Sequence, residues 1–212
     1  MSDDTSELPG LPARAFAKVD AEPDDRFYDM PRFVTHIDDA AIAGVTQLYR
    51  ELFRPGATVL DLMGSWVSHL PPEVAYGQVI GHGMNAEELA GNPRYDRWFV
   101  HDLNHEPRLP LDPASVDAIG LCVSIQYLQR PVAVMRDVLR VLKPQGLIAI
   151  TFSNRCFPTK AVAIWQSIAM GDHAELVSLY LQQAGFGSVE ARTLIPLGGP
   201  GDPLWAVIGR AA

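Results

Sequence analysis

The sequence predicts one α/β domain built on a doubly wound, mostly parallel sheet of seven strands, with helices on both faces and an antiparallel C-terminal strand. Short apolar runs alternate with segments of helical periodicity from residue 38 to residue 185. This alternation is typical of parallel strands joined by crossover helices. The last two predicted strands are separated only by the Gly- and Pro-rich segment 196–203, a short loop that favours antiparallel pairing.

Composition supports a globular chain with a single core. The chain has 212 residues, of which 48% are hydrophobic and 20% charged, values far from those of disordered proteins. The formal net charge is -8 and Lys and Arg form no run, so we expect no nucleic-acid partner. No segment resembles a signal peptide or a membrane span, so we expect a cytoplasmic protein without a membrane partner. Composition leaves the oligomeric state open.

The two cysteines indicate neither a metal site nor a disulfide framework. Cys122 lies in an apolar run and Cys156 lies far along the chain. Their separation matches no metal-binding spacing, so we expect two reduced thiols and no metal.

We divide the chain into an N-terminal arm or lid, residues 1–37, and a folded domain, residues 38–212. The first 24 residues carry prolines and acids without hydrophobic periodicity. Such a segment is typical of a poorly ordered or surface-bound arm, so we expect it to contribute nothing to the core.

The elements of the domain follow in order. Asp38 or Asp39 is predicted to cap a helix whose apolar positions recur up to Leu52, and residues 57–62 form the first strand. The other predicted strands are residues 78–81, 98–100, 116–123, 146–152, 189–195 and 204–209. The other predicted helices are one capped by Asn85, one from Pro131 to the stop at Lys143-Pro144, one over residues 158–169, and one from an Asp172 cap to Gly185.

Ligands of doubly wound sheets bind beyond the carboxyl ends of the strands, where the strand order reverses. The residues that follow each strand are therefore the candidates for a site. Those after the first strand begin with Asp61, the third strand ends near Asp102, and the fourth ends at Ser124.

An ordered set of motifs runs through these strand ends. It comprises Val59-Leu60-Asp61-Leu62, then Asp102, Leu109-Pro110-Leu111, Val116-Asp117-Ala118-Ile119 and Leu139-Arg140-Val141-Leu142-Lys143-Pro144-Gln145-Gly146. Over residues 57–153 the chain thereby resembles the class I S-adenosylmethionine-dependent methyltransferases of the type 11 group. The resemblance implies a methyltransferase-type, Rossmann-like fold, S-adenosyl-L-methionine as the cofactor and a small-molecule acceptor.

The resemblance also implies the cofactor-binding residues. Asp61 is the acid that ends the first strand. Asp102 corresponds to the acid that meets the adenine amino group, Leu103 supplies a backbone amide, and Ser124 lies at the fourth strand end. Two structural alternatives stay open: Asp61 caps loop amides, or Asp102 is an N-cap or turn residue.

Two parts of the family pattern are altered here. The three glycines that follow the first strand in the family are replaced by Met63, Ser65 and Val67, while Gly64 lies out of phase. Side chains there occupy space that a bare backbone leaves to the cofactor, and positive φ values become costly. The acid that binds the ribose hydroxyls corresponds to Gly83, for which the nearby Asn85 is a weaker substitute.

The acceptor side is predicted from the remaining strand ends and from the arm. We expect Tyr28, Arg32, Gln126, Tyr127 and Arg155 to contact the acceptor. Where the acceptor must lose a proton, His36 and His69 are the candidate bases. The arm is equally well interpreted as a surface strap. The competing interpretation of His69 is a structural loop histidine, and we interpret Trp66 as a packing residue.

The sequence suggests three possible functions. Methyl transfer to a small molecule leads. The alternative is a catalytically inactive binding or interaction module, which the substitutions at the glycine and ribose-acid positions motivate. Nicotinamide-dependent oxidoreduction is third, because the G-x-G-x-x-G fingerprint is absent after the first strand.

Overall fold

The computed structural model describes residues 7–212 and contains one seven-stranded sheet. In chain order the strands are β1 Thr58–Asp61, β2 Gln78–Gly83, β3 Arg97–Val100, β4 Val116–Cys122, β5 Leu142–Ser153, β6 Ser188–Ile195 and β7 Leu204–Arg210. Their spatial order is β3-β2-β1-β4-β5-β7-β6. The five strands from β3 to β5 pair in parallel, and β7 lies antiparallel to both β5 and β6. The predicted doubly wound, mostly parallel sheet is confirmed.

Helices connect the strands and cover both faces of the sheet. They are α1 Asp24–Tyr28, α2 Asp39–Leu52, α3 Ala86–Ala90, α4 Pro131–Val141, α5 Ala163–Ser167 and α6 His173–Ala184, with 3-10 helices at Ala13–Phe16, Ile125–Tyr127 and Met170–Asp172.

Asp38, Asn85 and Gly185 end helices as predicted, whereas Asp172 does not cap one. Asp38 caps α2 by accepting a hydrogen bond from Ala41 N, and Asn85 caps α3 in the same way. Gly185 ends α6 with a φ of 100°, a left-handed conformation that favours glycine. The prediction for Asp172 is wrong, because its backbone is already helical and its side chain makes no capping hydrogen bond.

The strand order places a ligand crevice beside β1. β1 pairs with β2 on one side and with β4 on the other, so the order reverses between β1 and β4. Asp61 and Cys122 end these two strands. Their carboxyl ends are the position at which doubly wound sheets bind ligands.

The core lies on the two faces of the sheet. Along β1, Val59 packs with Val45 of α2 on one face, whereas Leu60 packs on the other face with Val138 of α4 and Val177 of α6. Successive strand residues point to opposite faces, so both faces of this strand are covered. Each such fully buried side chain contributes about 1.5–3 kcal/mol relative to an exposed one.

Two predicted boundaries are wrong. The helix expected over residues 158–169 is confined to Ala163–Ser167, because the N–H groups of Lys160 and Ala161 both donate to Phe157 O and form a turn. β5 begins at Leu142, earlier than predicted. Its pairing with β4 skips residues 143–146, where Pro144 has no N–H to donate.

The arm enters the core, contrary to the expectation for its first residues. Leu8 and Phe16 are buried in the cluster on the α4 and α6 face. The Phe16 ring lies 6.2 Å from the Tyr180 ring of α6. These two apolar side chains cover a part of the helix layer that would otherwise be exposed.

Cys122 and Cys156 are free cysteines, as expected. Across residues 7–212, no helix is long and apolar enough to cross a bilayer. No group of three or more His, Cys, Asp or Glu residues in the same range has a metal-holding arrangement.

Candidate functional site

A cavity of about 270 Å³ opens at the carboxyl ends of the parallel strands. Loops that follow β1 to β5 line it, and the segment 24–37 of the arm forms its remaining wall. The predicted site residues that line it are Tyr28, Arg32, His36, Asp61, Met63, Gly64, Ser65, His69, Gly83, Asn85, Asp102, Leu103, Ser124, Tyr127 and Arg155. Gln126 lies outside the lining: it is buried, and its Nε2 donates to Val123 O at 2.8 Å.

Asp61 is a buried carboxyl group at the end of β1. Its Oδ2 accepts a hydrogen bond from Tyr95 Oη at 2.7 Å. Burial raises the pKa of Asp61 to about 7, although the Tyr95 hydrogen bond acts in the opposite direction. The residue therefore titrates near neutral pH, a property found more often at functional sites than elsewhere.

The loop after β1 has a left-handed backbone at the first altered glycine position. Met63 has a φ of 56°, a conformation that a side chain makes costly. His82 holds this conformation, because its Nδ1 accepts a hydrogen bond from Met63 N at 3.0 Å while its Nε2 lies 2.9 Å from His101 O. Burial lowers the pKa of His82 to about 4, so the ring is neutral and Nε2 donates to His101 O.

Two glycines bring this loop against the end of β2. A Cβ atom on Gly83 would lie 2.4 Å from Gly64 O. A Cβ atom on Gly64 would lie 2.5 Å from Tyr95 Oη. Neither position accommodates a side chain without movement of the backbone or of Tyr95, so the altered loop and the missing acid at position 83 are structurally coupled.

Glu88 is a cavity acid that was not predicted from the sequence. It lies in the first turn of α3 and is buried. Its Oε2 accepts a hydrogen bond from Ser65 Oγ, and its Oε1 accepts one from Arg32 N at 2.6 Å. One carboxylate thus joins α3, the loop after β1 and the arm.

Asn85 ties the arm to the same helix. Its Oδ1 accepts hydrogen bonds from the N–H groups of Glu87 and Glu88, which caps α3. Its Nδ2 donates to Tyr28 O at 2.9 Å and to Asp29 O at 3.0 Å. These contacts with the arm and the helix use both the donors and the acceptor of the Asn85 side-chain amide.

Asp102 follows β3, and one of its carboxylate oxygens stabilises a turn. Oδ1 accepts hydrogen bonds from Asn104 N at 2.8 Å and His105 N at 3.3 Å. Within residues 7–212, Oδ2 accepts no hydrogen bond, so this oxygen can meet a ligand. The turn and ligand interpretations of Asp102 are compatible.

The end of β4 carries a second left-handed residue. Val123 has a φ of 45°, which for a β-branched residue costs about 1–3 kcal/mol. Ser124 Oγ lies 2.9 Å from Cys122 O and 3.2 Å from Met63 O. This hydroxyl group therefore joins the ends of β1 and β4, across the point where the strand order reverses.

His36 and His69 both line the cavity. Burial, with a smaller contribution from the neighbouring His36, lowers the pKa of His69 to about 4. Partial desolvation also lowers the pKa of His36, whose ring packs edge-on against Phe157 at 5.3 Å between centroids. Both rings are thus neutral at pH 7.

Aromatic rings line the cavity on the predicted acceptor side. The rings of Tyr127 and Phe157 stack at 6.0 Å, and Tyr127 Oη accepts a hydrogen bond from Phe157 N. Desolvation raises the pKa of Tyr28. The Arg32 guanidinium lies 5.7 Å from the centre of the Phe157 ring and donates to Phe27 O at 2.7 Å.

Arg155 and Trp66 each have a structural hydrogen-bond partner. Arg155 Nε donates to Asp202 Oδ1 at 2.8 Å. Trp66 Nε1 donates to Val34 O at 3.0 Å, and its ring does not line the cavity. Trp66 therefore packs against the arm, as predicted.

The central part of the chain is similar to known proteins. Residues 64–150 match the model of the type 11 methyltransferase family, described as a methyltransferase domain. A demethylmenaquinone methyltransferase from Clavibacter sepedonicus is 31% identical over 137 residues. The aligned region covers 52% of this chain and 54% of that protein, so the chain spans about half the length of the curated relative it matches.

Solved structures share the fold across most of the chain. A SAM dependent methyltransferase from Aquifex aeolicus has a TM-score of 0.58 at 18% identity, and covers 89% of this chain and 97% of its own. The [4+2]-cyclase SpnF has a TM-score of 0.62 at 17% identity, and covers 88% of this chain and 91% of its own. At these identities the likeness shows the fold alone.

Proposed function

We propose that the chain transfers a methyl group from S-adenosyl-L-methionine to a small-molecule acceptor, because residues 64–150 match the type 11 methyltransferase family model, a family that uses this cofactor. The single observation that carries the proposal is the cavity at the reversal of strand order. Asp61, Asp102 and Ser124 line it together, each from a different strand end.

The lining fits this cofactor chemically. Four acidic residues, Asp24, Asp61, Glu88 and Asp102, line the cavity. The cofactor carries a cationic sulfonium and an ammonium group, and carboxylates attract cations in a partly buried site. It also carries hydroxyl and amino donors, for which carboxylate oxygens are acceptors. We propose that Asp102 and Leu103 bind the adenine end and that Asp61, Met63, Gly64 and Ser65 surround the opposite end.

When bound, the cofactor supplies a methyl group that its sulfonium already activates. The remaining work of the protein is to align the acceptor with that methyl group and to exclude water. We propose that Tyr28, Tyr127 and Arg155 orient the acceptor, that Arg32 holds the arm over it, and that Gln126 supports this wall from beneath.

An acceptor that must lose a proton needs a base, and two histidines are available. We propose His69 for this role, with His36 as the other candidate. The lowered pKa of each leaves a neutral imidazole at pH 7, and a neutral imidazole can accept a proton.

The fold by itself does not fix the reaction, since SpnF carries the name of a cyclase on the same architecture. The test therefore has separate arms for binding and for transfer. Isothermal titration with S-adenosylhomocysteine measures the first. Asp102→Asn should weaken binding roughly tenfold, since a hydrogen bond to a charged group contributes about 1.5–3 kcal/mol. The side-chain oxygen of the asparagine can still accept the hydrogen bonds with which Asp102 Oδ1 stabilises the turn.

Asp112→Asn is the matched control, because Asp112 is exposed and does not line the cavity. Transfer is followed with methyl-labelled S-adenosylmethionine and an extract of small molecules, which should yield a labelled product. Wild-type protein that gives no heat at millimolar S-adenosylhomocysteine would overturn the proposal. Binding without a labelled product would favour a non-catalytic binding module.

A further inference from the structure

Position 83, the last residue of β2, cannot supply a side chain to the cavity. A Cβ atom on Gly83 would lie 2.4 Å from Gly64 O, far inside the normal contact distance, and the obstacle is backbone rather than a flexible side chain. Gly64 N in turn donates to His82 O at 2.7 Å, which fixes the loop in this place. An acid that serves the cavity here must therefore come from another position in the chain.

Glu88 provides a carboxylate beside this obstacle. Ser65 directly follows Gly64, and its Oγ donates to Glu88 Oε2. Only 8% of Glu88 is exposed, and the residue lines the cavity. Five residues beyond Gly83, a side chain from the first turn of α3 thus reaches the part of the loop that blocks position 83.

The direction of the Glu88 side chain is not that of an ordinary helix-capping residue. A glutamate three residues after an N-cap commonly folds back to the N–H group of the capping residue. Here Asn85 caps α3 with its own side chain, and the Glu88 carboxylate instead meets Ser65 and Arg32 N. A carboxylate has about four lone-pair sites. Two donors leave capacity for two more hydrogen bonds, and Glu88 lines the cavity.

We propose that Glu88 binds the ribose hydroxyl groups of the cofactor in place of an acid at position 83. This inference rests on the proposed function. The carboxylate accepts a hydrogen bond from a ribose hydroxyl on each oxygen, while Ser65 Oγ and Arg32 N hold it in orientation. The buried location strengthens these hydrogen bonds, since competing water is largely excluded.

The test is a thermodynamic cycle between the carboxylate and one hydroxyl. S-adenosylhomocysteine and its 2′-deoxy analogue are titrated into wild type and Glu88→Gln. The substitution should weaken S-adenosylhomocysteine binding roughly 10- to 100-fold, as expected for loss of charge-assisted hydrogen bonds. It should weaken binding of the 2′-deoxy analogue much less, because that ligand has already lost one partner.

Glu87→Gln is the matched control, since Glu87 is the adjacent acid of the same helix turn and is exposed. It should change neither affinity more than about twofold, the scale of a screened surface charge. Ser65→Ala is a second variant that keeps Glu88 but removes the donor that orients it. We expect a loss of several-fold that is again larger for the ligand with the 2′-hydroxyl.

The outcomes separate this inference from the proposed function. Equal affinities of Glu88→Gln and Glu87→Gln would overturn the inference alone. A loss in Glu88→Gln that is the same for both ligands would also overturn it, and would assign Glu88 to the structure of the loop. Wild type that binds neither ligand would overturn the proposed function and this inference with it. Should Glu88→Gln fail to fold, the Ser65→Ala comparison decides.

Discussion

Asp61 makes the stability of the protein depend on pH in a definite direction. In the unfolded chain a carboxyl group of this type titrates near its ordinary pKa, whereas burial raises the pKa to about 7 in the folded state. Between about pH 4 and pH 7 only the folded state holds the proton. Stability therefore falls as pH rises through this window, by about 1.4 kcal/mol for each pH unit, and it stays lower above pH 7.

Asp61→Asn should remove this dependence. From pH 5 to pH 8 the free energy of unfolding should fall by roughly 3 kcal/mol more in wild type than in the variant. Urea unfolding of both proteins at the two pH values measures the difference, because the histidine contributions are common to both and cancel. Asp112→Asn, at an exposed carboxylate, should behave as wild type. An identical pH dependence in wild type and Asp61→Asn would show that burial does not raise this pKa.

At the residue scale, the sequence predicts which strand ends meet but not what each side chain does there. Asp61 and Asp102 line one cavity because parallel strand ends must meet at one edge of the sheet. Tyr95, which bonds Asp61, and His82, which supports Met63, depend on three-dimensional contacts that no motif encodes. Glu88 has a weak signal: an acid in the first turn after β2, on a helix that already has an asparagine cap.

At the scale of elements, the arm and α3 are joined by a single side chain. Asn85 caps the helix with Oδ1 and holds the arm with Nδ2. These two contributions use different atoms of one amide, so they can be separated by substitution. An aspartate keeps the accepting oxygen of the cap and loses both donors.

Asn85→Asp should therefore release the arm while α3 stays capped. We expect trypsin to cleave at Arg26 and Arg32 several-fold faster in the variant, because cleavage needs a locally opened segment. Far-UV circular dichroism should show little change. Asn92→Asp is the control, since Asn92 Nδ2 donates to Ser65 O and not to the arm. Equal cleavage rates in the two variants would mean that Asn85 does not hold the arm.

Element types were more predictable than element limits. β1 and α2 follow from local patterns, and their observed bounds differ little from the predicted ones. The segment 158–162 has apolar residues at helical spacing, yet it forms a turn because the buried Lys160 side chain is fixed by the arm. A contact between residues about 140 positions apart leaves no trace in local periodicity, so this limit could not be predicted.

At the scale of the whole molecule, a buried ionic cluster joins the arm to the turn that follows β5. Lys160 is fully buried, and its Nζ donates to Glu22 O at 2.8 Å and lies 3.1 Å from Asp20 Oδ2 and 3.3 Å from Asp24 Oδ1. Lys18 also pairs with Asp24. Because Leu8 and Phe16 of the same arm lie in the core, the arm should unfold together with the domain.

Lys160→Met tests this cooperativity. Removal of one partner from a buried ionic cluster costs about 3–5 kcal/mol, because the remaining carboxylates lose their compensating charge. Urea unfolding followed by tryptophan fluorescence and by far-UV circular dichroism should show one transition at a lower urea concentration, with the same midpoint for both signals. Lys143→Met is the control: Lys143 pairs with Asp117 at a half-exposed site, where loss of an ion pair costs at most about 1 kcal/mol. If Lys160→Met instead lost the arm in an early, separate transition, the arm would be a unit added to an independently stable domain. A single displaced transition would make it part of the fold that forms the cavity.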